Sequence, residues 1–278
     1  MGKAGEIEYL QRIGEHGRRH AQLKPFSDPE RGQYLQSVGV VLDALPPPPA
    51  RVLDLGCGTG WTTEFLHRSG YEAVGIDIAP DMIALAREMP GREGVRFEIG
   101  DYEILPELGA FDAAMFFDSL HHAEDERAAL AAVYGALVPR GRLVCSEPGA
   151  GHSHAAASQH AVNVFGVTEK DMPPSHIISI GREVGFRSAE VLPSPVALAE
   201  LFDRARALDT VGDGERTLSD RLRSSVKTLI AAPTVAALGG KTGRLNSYRG
   251  EYAYYRLVRA TLLDLEHSGV AAVTVLYK

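Results

Sequence analysis

Short apolar runs rich in Val, Ile, Leu and Phe alternate between residues 51 and 192 with stretches whose apolar positions recur at helical spacing. Such runs predict buried strands, and apolar spacing of three and four predicts helices. The predicted strands are Arg51–Leu55, Ala73–Asp77, Val95–Ile99, Phe111–Phe117, Gly141–Glu147, Arg187–Leu192 and Val270–Tyr277, and the predicted helices lie near 61–69, 80–88 and 124–137. Because strands that are separated by helices pair in parallel, we expect an α/β fold, a doubly wound, mostly parallel seven-stranded sheet with helices on both faces.

Helical patterns without strand signals flank this alternation on both sides. Residues 1–45 have helical apolar spacing, and Pro46–Pro49 must end a helix there because prolines lack the backbone donor. Residues 195–268 are also helical in pattern. We therefore predict a helical N-terminal cap with a Pro-rich connector at 1–49, a core at 50–194, a helical insertion or lid at 195–268 and a last core strand at 269–278.

Composition narrows the class of protein. The 278 residues are 45% hydrophobic and 23% charged, which is typical of a globular domain. The net charge of −7 argues against a broad nucleic-acid surface, and no apolar run approaches the ~20 residues of a membrane span. The N-terminus lacks the apolar stretch of a secretory signal, and two cysteines, Cys57 and Cys145, fit a reducing compartment. We expect a cytoplasmic protein that binds neither nucleic acid nor membranes, and a homodimer is left open.

The segment with the clearest chemistry joins the first strand to the first core helix. It reads Asp54-Leu55-Gly56-Cys57-Gly58-Thr59-Gly60, an acidic residue followed by three alternate glycines. A nicotinamide-binding turn would have its third glycine where Trp61 or Thr63 stands. The order instead resembles the first motif of class I S-adenosylmethionine-dependent methyltransferases, and the resemblance extends over about residues 50–192 and the final strand.

The resemblance implies a set of contacts to S-adenosylmethionine. The glycine loop would approach its methionine end, Asp77 would accept from the ribose hydroxyls, and Asp101 would accept from the adenine amine between Ile78 and Tyr102. The predicted cofactor-binding residues are Asp54, Gly56, Cys57, Gly58, Gly60, Asp77, Ile78, Asp101, Tyr102, Phe117 and Asp118. Carboxylates that follow successive strands support this prediction, because ligands of open α/β sheets bind beyond the carboxyl ends of the strands.

Candidates for catalysis follow the fourth and fifth strands. His121 or His122 could remove a proton from a hydroxyl acceptor, and Glu147 could orient the acceptor. Either histidine could instead cap the helix that starts near Glu124 or line the cofactor. Residues 151–160 are expected to form a solvated loop, in which His152 and His154 together with Glu147 are an alternative metal site, but we predict no metal ion.

The predicted lid and cap supply further contacts. In the lid, which has a small excess of Lys and Arg, the predicted substrate-binding residues are Arg244, Tyr248, Arg249 and Tyr252. In the cap, the predicted contacts are Tyr9, Arg18, Arg19 and His20. The basic lid favours an anionic or sugar-like acceptor.

Together these patterns predict methyl transfer from S-adenosylmethionine, with S-adenosylhomocysteine as product, to a hydroxyl or amine of a small molecule. Oxygen is preferred because of the two histidines. There are two alternatives: a catalytically silent S-adenosylmethionine-binding module, and an enzyme that uses the sulfonium for another reaction. The fold alone does not decide between these functions, because one fold hosts all of them.

Overall fold

The computed structural model describes residues 2–90, 94–193 and 272–278. The helices of this part of the chain are α1 (Lys3–Arg12), α2 (Gly14–Leu23), α3 (Arg31–Ala44), α4 (Trp61–Arg68), α5 (Pro80–Glu88), α6 (Glu126–Ala136), α7 (Ala156–Phe165) and α8 (Pro174–Val184). The strands are β1 (Arg51–Leu55), β2 (Glu72–Asp77), β3 (Arg96–Ile99), β4 (Phe111–Phe117), β5 (Leu137–Glu147), β6 (Ser188–Pro193) and β7 (Ala272–Tyr277). Single turns of 3-10 helix occur at Leu120–His122 and His152–His154.

The strands form one seven-stranded sheet in the order β3-β2-β1-β4-β5-β7-β6. The first five pair in parallel, and β7 runs antiparallel to both β5 and β6. The predicted doubly wound, mostly parallel sheet is therefore confirmed. The strand order reverses between β1 and β4, and this switch point is where open α/β sheets bind their ligands.

Apolar side chains alternate between two core layers, one on each face of the sheet. Along β4, Phe116 packs into the layer beneath α6 and α8, whereas Met115 and Phe117 pack into the layer beneath α3 and α4. This alternation follows from the two-residue period of a strand. Both faces are covered, which explains why the central strands are apolar at nearly every position.

The N-terminal cap packs directly on the core. Val38, Val41 and Ala44 of α3 are buried against the sheet, and α1 lies beside α5 and α7. The hydroxyl of Thr59 donates to the Ala21 carbonyl at 2.7 Å, which ties α2 to the glycine loop. Within the described ranges, none of the helices combines the length and apolarity that crossing a bilayer requires.

Two sequence-based predictions need correction. Strand β5 begins at Leu137, which is four residues earlier than the predicted start at Gly141 and is the last residue of the predicted helix. The expected loop at 151–160 contains a 3-10 turn and the first half of α7, because the run of alanines from Ala155 favours a helix. The predicted insertion at 195–268 lies outside the described residues, and the division into four segments remains a prediction.

Candidate active site

The glycine loop after β1 is held against the end of β2. The backbone N–H groups of Gly56 and Cys57 both donate to the Ile76 carbonyl at 2.9 Å. Gly56, Gly58 and Gly60 all have positive φ angles, between 53° and 78°, which favour glycine. A Cβ on Gly60 would lie 2.4 Å from the Phe97 ring, whereas a Cβ on Gly58 would meet no protein atom within 4 Å. Gly60 thus serves packing, and Gly58 leaves space for a ligand.

Asp54 lies beneath this loop. It is 1% exposed, and its Oδ2 accepts from the hydroxyls of Thr62 and Thr63 at 2.7 and 2.6 Å. Burial raises the pKa of Asp54 to about 6, although the two threonine hydrogen bonds oppose that shift. The structure does not place Asp54 at a cavity wall, so the prediction of direct cofactor contact is corrected: Asp54 positions the loop and the start of α4.

Asp77 lies at the end of β2, beside the loop. Its Oδ2 accepts from the Gly58 N–H at 2.8 Å and its Oδ1 from the Ala79 N–H at 2.9 Å. Burial raises the pKa of Asp77, and these two backbone hydrogen bonds act in the opposite direction. Asp77 and Ile78 both line a cavity of about 330 Å³, and their contacts with ribose and adenine stay predictions.

The predicted adenine end is only partly assembled at the cavity. Tyr102 lines it, with its hydroxyl donating to the Ser119 carbonyl at 3.1 Å and its ring edge-on to Phe116. Asp101 points elsewhere: it pairs with Lys3 Nζ at 2.7 Å and accepts from the Glu103 N–H at 2.9 Å. Asp101 thus links the core to the N-terminal cap in this structure, and its contact with adenine stays a prediction.

Two adjoining cavities of about 330 and 390 Å³ meet at Gly56, Gly58 and Asp118. The first passes Asp77, Ile78 and Tyr102 and reaches His121, His122 and His152. The second runs beneath α2 and is lined by residues that include Cys57, Trp61 and Phe117. Burial raises the pKa of the Cys57 thiol well above its ordinary value, so this side chain acts as a neutral packing group.

Asp118 follows β4 at the junction of the two cavities. It has a positive φ of 55°, and its Oδ2 accepts from the Tyr34 hydroxyl at 3.3 Å. Burial alone would raise the pKa of Asp118, but the positive charges of His121 and Lys24 hold it below the usual range. Next to it, Phe117 packs edge-on against Trp61, with ring centroids 5.3 Å apart.

His121 and Glu147 form a buried pair behind the first cavity. Glu147 Oε2 lies 2.8 Å from His121 Nδ1, and Glu147 Oε1 accepts from the N–H groups of Ser119 and Leu120 at 3.1 and 2.8 Å. Burial disfavours the charged His121 ring, but the hydrogen bond and charge of Glu147 outweigh it and raise the pKa of His121 to about 9. Glu147 is 4% exposed and does not line a cavity. The prediction that it orients the acceptor is corrected to one of positioning His121.

His122 sits in a different electrostatic environment. Its Nδ1 lies 2.6 Å from the Thr168 carbonyl oxygen, so it carries the hydrogen and donates. Burial, together with the neighbouring positive charge of His121, lowers the pKa of His122 to about 4. The two rings have centroids 4.0 Å apart. Both histidines line the cavity, and neither caps α6, whose cap is Asp125 accepting from the Ala128 N–H.

Several cavity residues were not predicted from the sequence. Glu169 lies 2.6 Å from His152 Nε2 and 3.6 Å from His121 Nε2. Glu6 of α1 accepts from the Thr168 N–H at 2.9 Å, and Lys24 lines both cavities. No motif surrounds these residues, and they reach the site only through the packing of α1 and of the segment between α7 and α8.

The remaining predicted residues belong to three sets, those of the cap, of the alternative metal site and of the predicted lid. In the cap, Tyr9 and His20 line a cavity, whereas Arg18 and Arg19 do not. The alternative metal site of His152, His154 and Glu147 is not assembled, because Glu147 is buried against His121 and His154 is exposed. Arg244, Tyr248, Arg249 and Tyr252 lie outside the described residues.

Comparison with known proteins agrees with this geometry. Residues 52–141 match a family described as a methyltransferase domain. The ubiquinone biosynthesis O-methyltransferase of Xanthomonas axonopodis pv. citri is 36% identical over 106 residues, which are 37% of this chain and 44% of that protein. The demethylmenaquinone methyltransferase of Thermus thermophilus is 41% identical over 109 residues, which are 37% of this chain and 50% of that protein. The chain thus spans half or less of the length of these curated relatives.

Among solved structures, phosphoethanolamine N-methyltransferase 2 of Haemonchus contortus in complex with S-adenosyl-L-methionine superposes with a TM-score of 0.52. The identity is 19%, and the match covers 99% of this chain and 56% of that one. At this identity the likeness shows a shared fold.

The sheet order, the glycine loop after β1 and the carboxylate after β2 define a Rossmann-like domain for an adenosine-containing cofactor. Residues 52–141 match the methyltransferase domain, and this domain has the Rossmann-like fold of the class I S-adenosylmethionine-dependent methyltransferases. S-adenosylmethionine is the cofactor of that family, so the predicted family, fold and cofactor are confirmed.

Proposed function

We propose that this protein transfers the methyl group of S-adenosylmethionine to an oxygen atom of a small-molecule acceptor. The observation that carries this proposal is a single cavity lined both by Gly58 and Asp77 and by His121, His122 and Glu169. A cofactor held by the first two residues would have its reactive group close to a polar cluster suited to an acceptor hydroxyl.

The reaction needs little covalent chemistry from the protein. The acceptor oxygen attacks the methyl carbon in line with the carbon–sulfur bond, an oxygen–carbon bond forms, and S-adenosylhomocysteine leaves. Alignment of the two reactants can supply ~7–11 kcal/mol of the barrier. The hydroxyl proton would pass to the Glu169 carboxylate or to the neutral His122 ring, and the charged His121 ring would stabilise the negative charge that develops on the acceptor oxygen.

The described acceptor end favours a neutral hydroxyl compound. Glu169 lies beside the histidines and its negative charge offsets the positive charge of His121, while burial raises the pKa of Glu6 to about 7. This cluster therefore offers little net positive charge to an anionic group. A sugar-like acceptor therefore fits this part of the site better than an anionic one. The O-methyltransferase name of the relative from Xanthomonas axonopodis supports oxygen as the methylated atom. Arg244 and Arg249, the residues predicted to contact an anionic group, lie outside the described residues.

Cofactor binding is the first part of the test. Calorimetric titration with S-adenosylmethionine, with NAD as the control ligand, should show binding of the former alone. Asp77→Asn should weaken it at least about tenfold, since charge-assisted hydrogen bonds are worth about 1.5–3 kcal/mol. Asp43→Asn, at an exposed position of α3, is the matched control and should bind normally. Binding of neither ligand would overturn the proposal.

Turnover is the second part. A panel of hydroxylated acceptors, including sugars and phenols, should yield S-adenosylhomocysteine and a product that is heavier by one methyl group. Release of methylthioadenosine, or a product of another mass, would indicate a different use of the sulfonium. Binding of S-adenosylmethionine without turnover on the whole panel would favour the silent binding module.

A further inference from the structure

We propose that His121, His122 and Glu169 bind a divalent transition-metal ion at the acceptor end of the cavity. Each residue offers one ligand atom, and the three atoms lie within 4.8 Å of one another. Two histidines and one carboxylate form a ligand set that leaves coordination positions open. The inference deepens the proposed methyltransferase function and depends on it for its catalytic meaning, although the binding of the ion can be tested by itself.

Each of the three ligand side chains is oriented by a hydrogen-bond partner. His121 Nδ1 is engaged by Glu147 at 2.8 Å, and His122 Nδ1 by the Thr168 carbonyl at 2.6 Å. Both rings therefore keep Nε2 for another partner. Glu169 Oε2 is itself 2.6 Å from His152 Nε2. Metal-binding histidines almost always donate their other N–H to a carboxylate or carbonyl, and metal-binding carboxylates are hydrogen-bonded as well.

The spacing of the ligand atoms also fits a bridging ion. His121 Nε2 and Glu169 Oε2 are 3.6 Å apart, which is too far for a good hydrogen bond. Two ligand atoms that are each about 2.0–2.2 Å from a shared metal lie about 3.0–3.4 Å apart. A small inward movement of the two side chains would therefore bring them to ligand distance.

The position of the cluster gives the ion a role. His121, His122 and Glu169 line a cavity of about 330 Å³ that also contains Gly58 and Asp77, so an open coordination position would face the space available to an acceptor. Imidazole and carboxylate ligands suit Zn²⁺, Fe²⁺, Mn²⁺ or Co²⁺. Such an ion would hold one or two acceptor oxygens and lower the pKa of a bound hydroxyl. A compound with two neighbouring oxygens is the acceptor class that would use the site best.

The same groups could also form an ion-paired cluster without a metal, in which His121 lies between Glu147 and Glu169. Titration of the full-length, chelator-treated protein distinguishes the two arrangements. Co²⁺, followed by its visible absorption, and Zn²⁺, followed by calorimetry, should each bind at one ion per chain. Glu169→Gln and His122→Ala should each weaken binding at least about tenfold. His154→Ala, which removes an exposed histidine near His152, is the matched control and should bind like the wild type.

Absence of stoichiometric binding, or equal affinity in Glu169→Gln and the wild type, would overturn the metal site. Circular dichroism and thermal melts would show that the variants are folded. S-adenosylmethionine titration of the same samples separates this inference from the proposed function. Absence of metal binding in the wild type with intact cofactor binding would refute the metal site alone, whereas failure of the wild type to bind the cofactor would refute the methyltransferase proposal.

Discussion

Glu147 Oε2 lies 2.8 Å from His121 Nδ1, and these two side chains, 4% and 3% exposed, join the ends of neighbouring strands. Glu147 ends β5, and His121 lies in the short turn that follows β4. The same carboxylate accepts from the N–H groups of Ser119 and Leu120. One buried side chain thus fixes both the path of this turn and the orientation of a cavity-lining histidine.

Removal of the Glu147 carboxylate should lower the free energy of unfolding. Glu147→Ala leaves the Ser119 and Leu120 N–H groups and the His121 ring without their acceptor in the interior, and we expect a loss of about 3–5 kcal/mol in unfolding free energy. Glu147→Gln should lose less, because its amide oxygen still accepts from the backbone. Urea unfolding measures both variants, with Glu88→Ala at an exposed position of α5 as the control. A loss below 1 kcal/mol in the alanine variant would contradict this role.

The raised pKa of Asp54 predicts that the stability of the protein depends on pH. Burial raises its pKa from 3.8 to about 6, so the folded state holds the proton more tightly than the unfolded chain does. The stability that protonated Asp54 adds to the folded state is therefore complete below the pKa of Asp54 in the unfolded chain. It is lost as the pH rises through about 6. Asp54→Asn removes this titration and can still accept from Thr62 and Thr63. The free energy of unfolding of Asp54→Asn, relative to that of the wild type, should increase by about 2 kcal/mol from pH 4.5 to pH 8.

Urea unfolding at the two pH values measures this difference. Asp43→Asn, at an exposed position, supplies the control for the loss of one negative charge. If the difference between Asp54→Asn and the wild type is the same at both pH values, the carboxyl of Asp54 is not titrating in this range.

Two glycines of the loop should respond differently to alanine. At Gly58 the added methyl meets no protein atom within 4 Å and reaches into the cavity, so we expect a stability loss of ~1–2 kcal/mol from the positive φ and a clear loss of S-adenosylmethionine affinity. At Gly60 the methyl would lie 2.4 Å from the Phe97 ring. Gly60→Ala should therefore be the less stable variant in thermal unfolding. The reverse order of stability would contradict these assignments.

Asp101 and Asp77 should differ in the binding of S-adenosylmethionine. Asp101 is engaged by Lys3 and the Glu103 N–H and does not line the cavity, whereas Asp77 does. We expect Asp101→Asn to change the affinity by less than about threefold, or ~0.6 kcal/mol, while Asp77→Asn loses at least about tenfold. Calorimetry compares the two variants directly. Equal losses would mean that Asp101 turns towards the ligand when it binds.

The sequence by itself determined the sheet and the glycine loop that follows its first strand. Apolar runs of strand length, interrupted by helical spacing, predicted β1 and β4 to the residue, because a strand buried on both faces has almost no polar positions. The glycine loop and Asp77 were also predicted from sequence. They depend on local geometry, a positive φ or a strand end, and local geometry is encoded in neighbouring residues.

Only the tertiary structure decided which polar residues meet. Glu147 and Asp101 follow strands just as Asp77 does, yet one turns inward to His121 and the other outward to Lys3. Glu6 and Glu169, which are 163 residues apart, reach the same cavity although no motif marks either of them. Such contacts depend on how α1 and the segment after α7 pack on the sheet. That packing results from many dispersed apolar contacts rather than from any short pattern in the sequence.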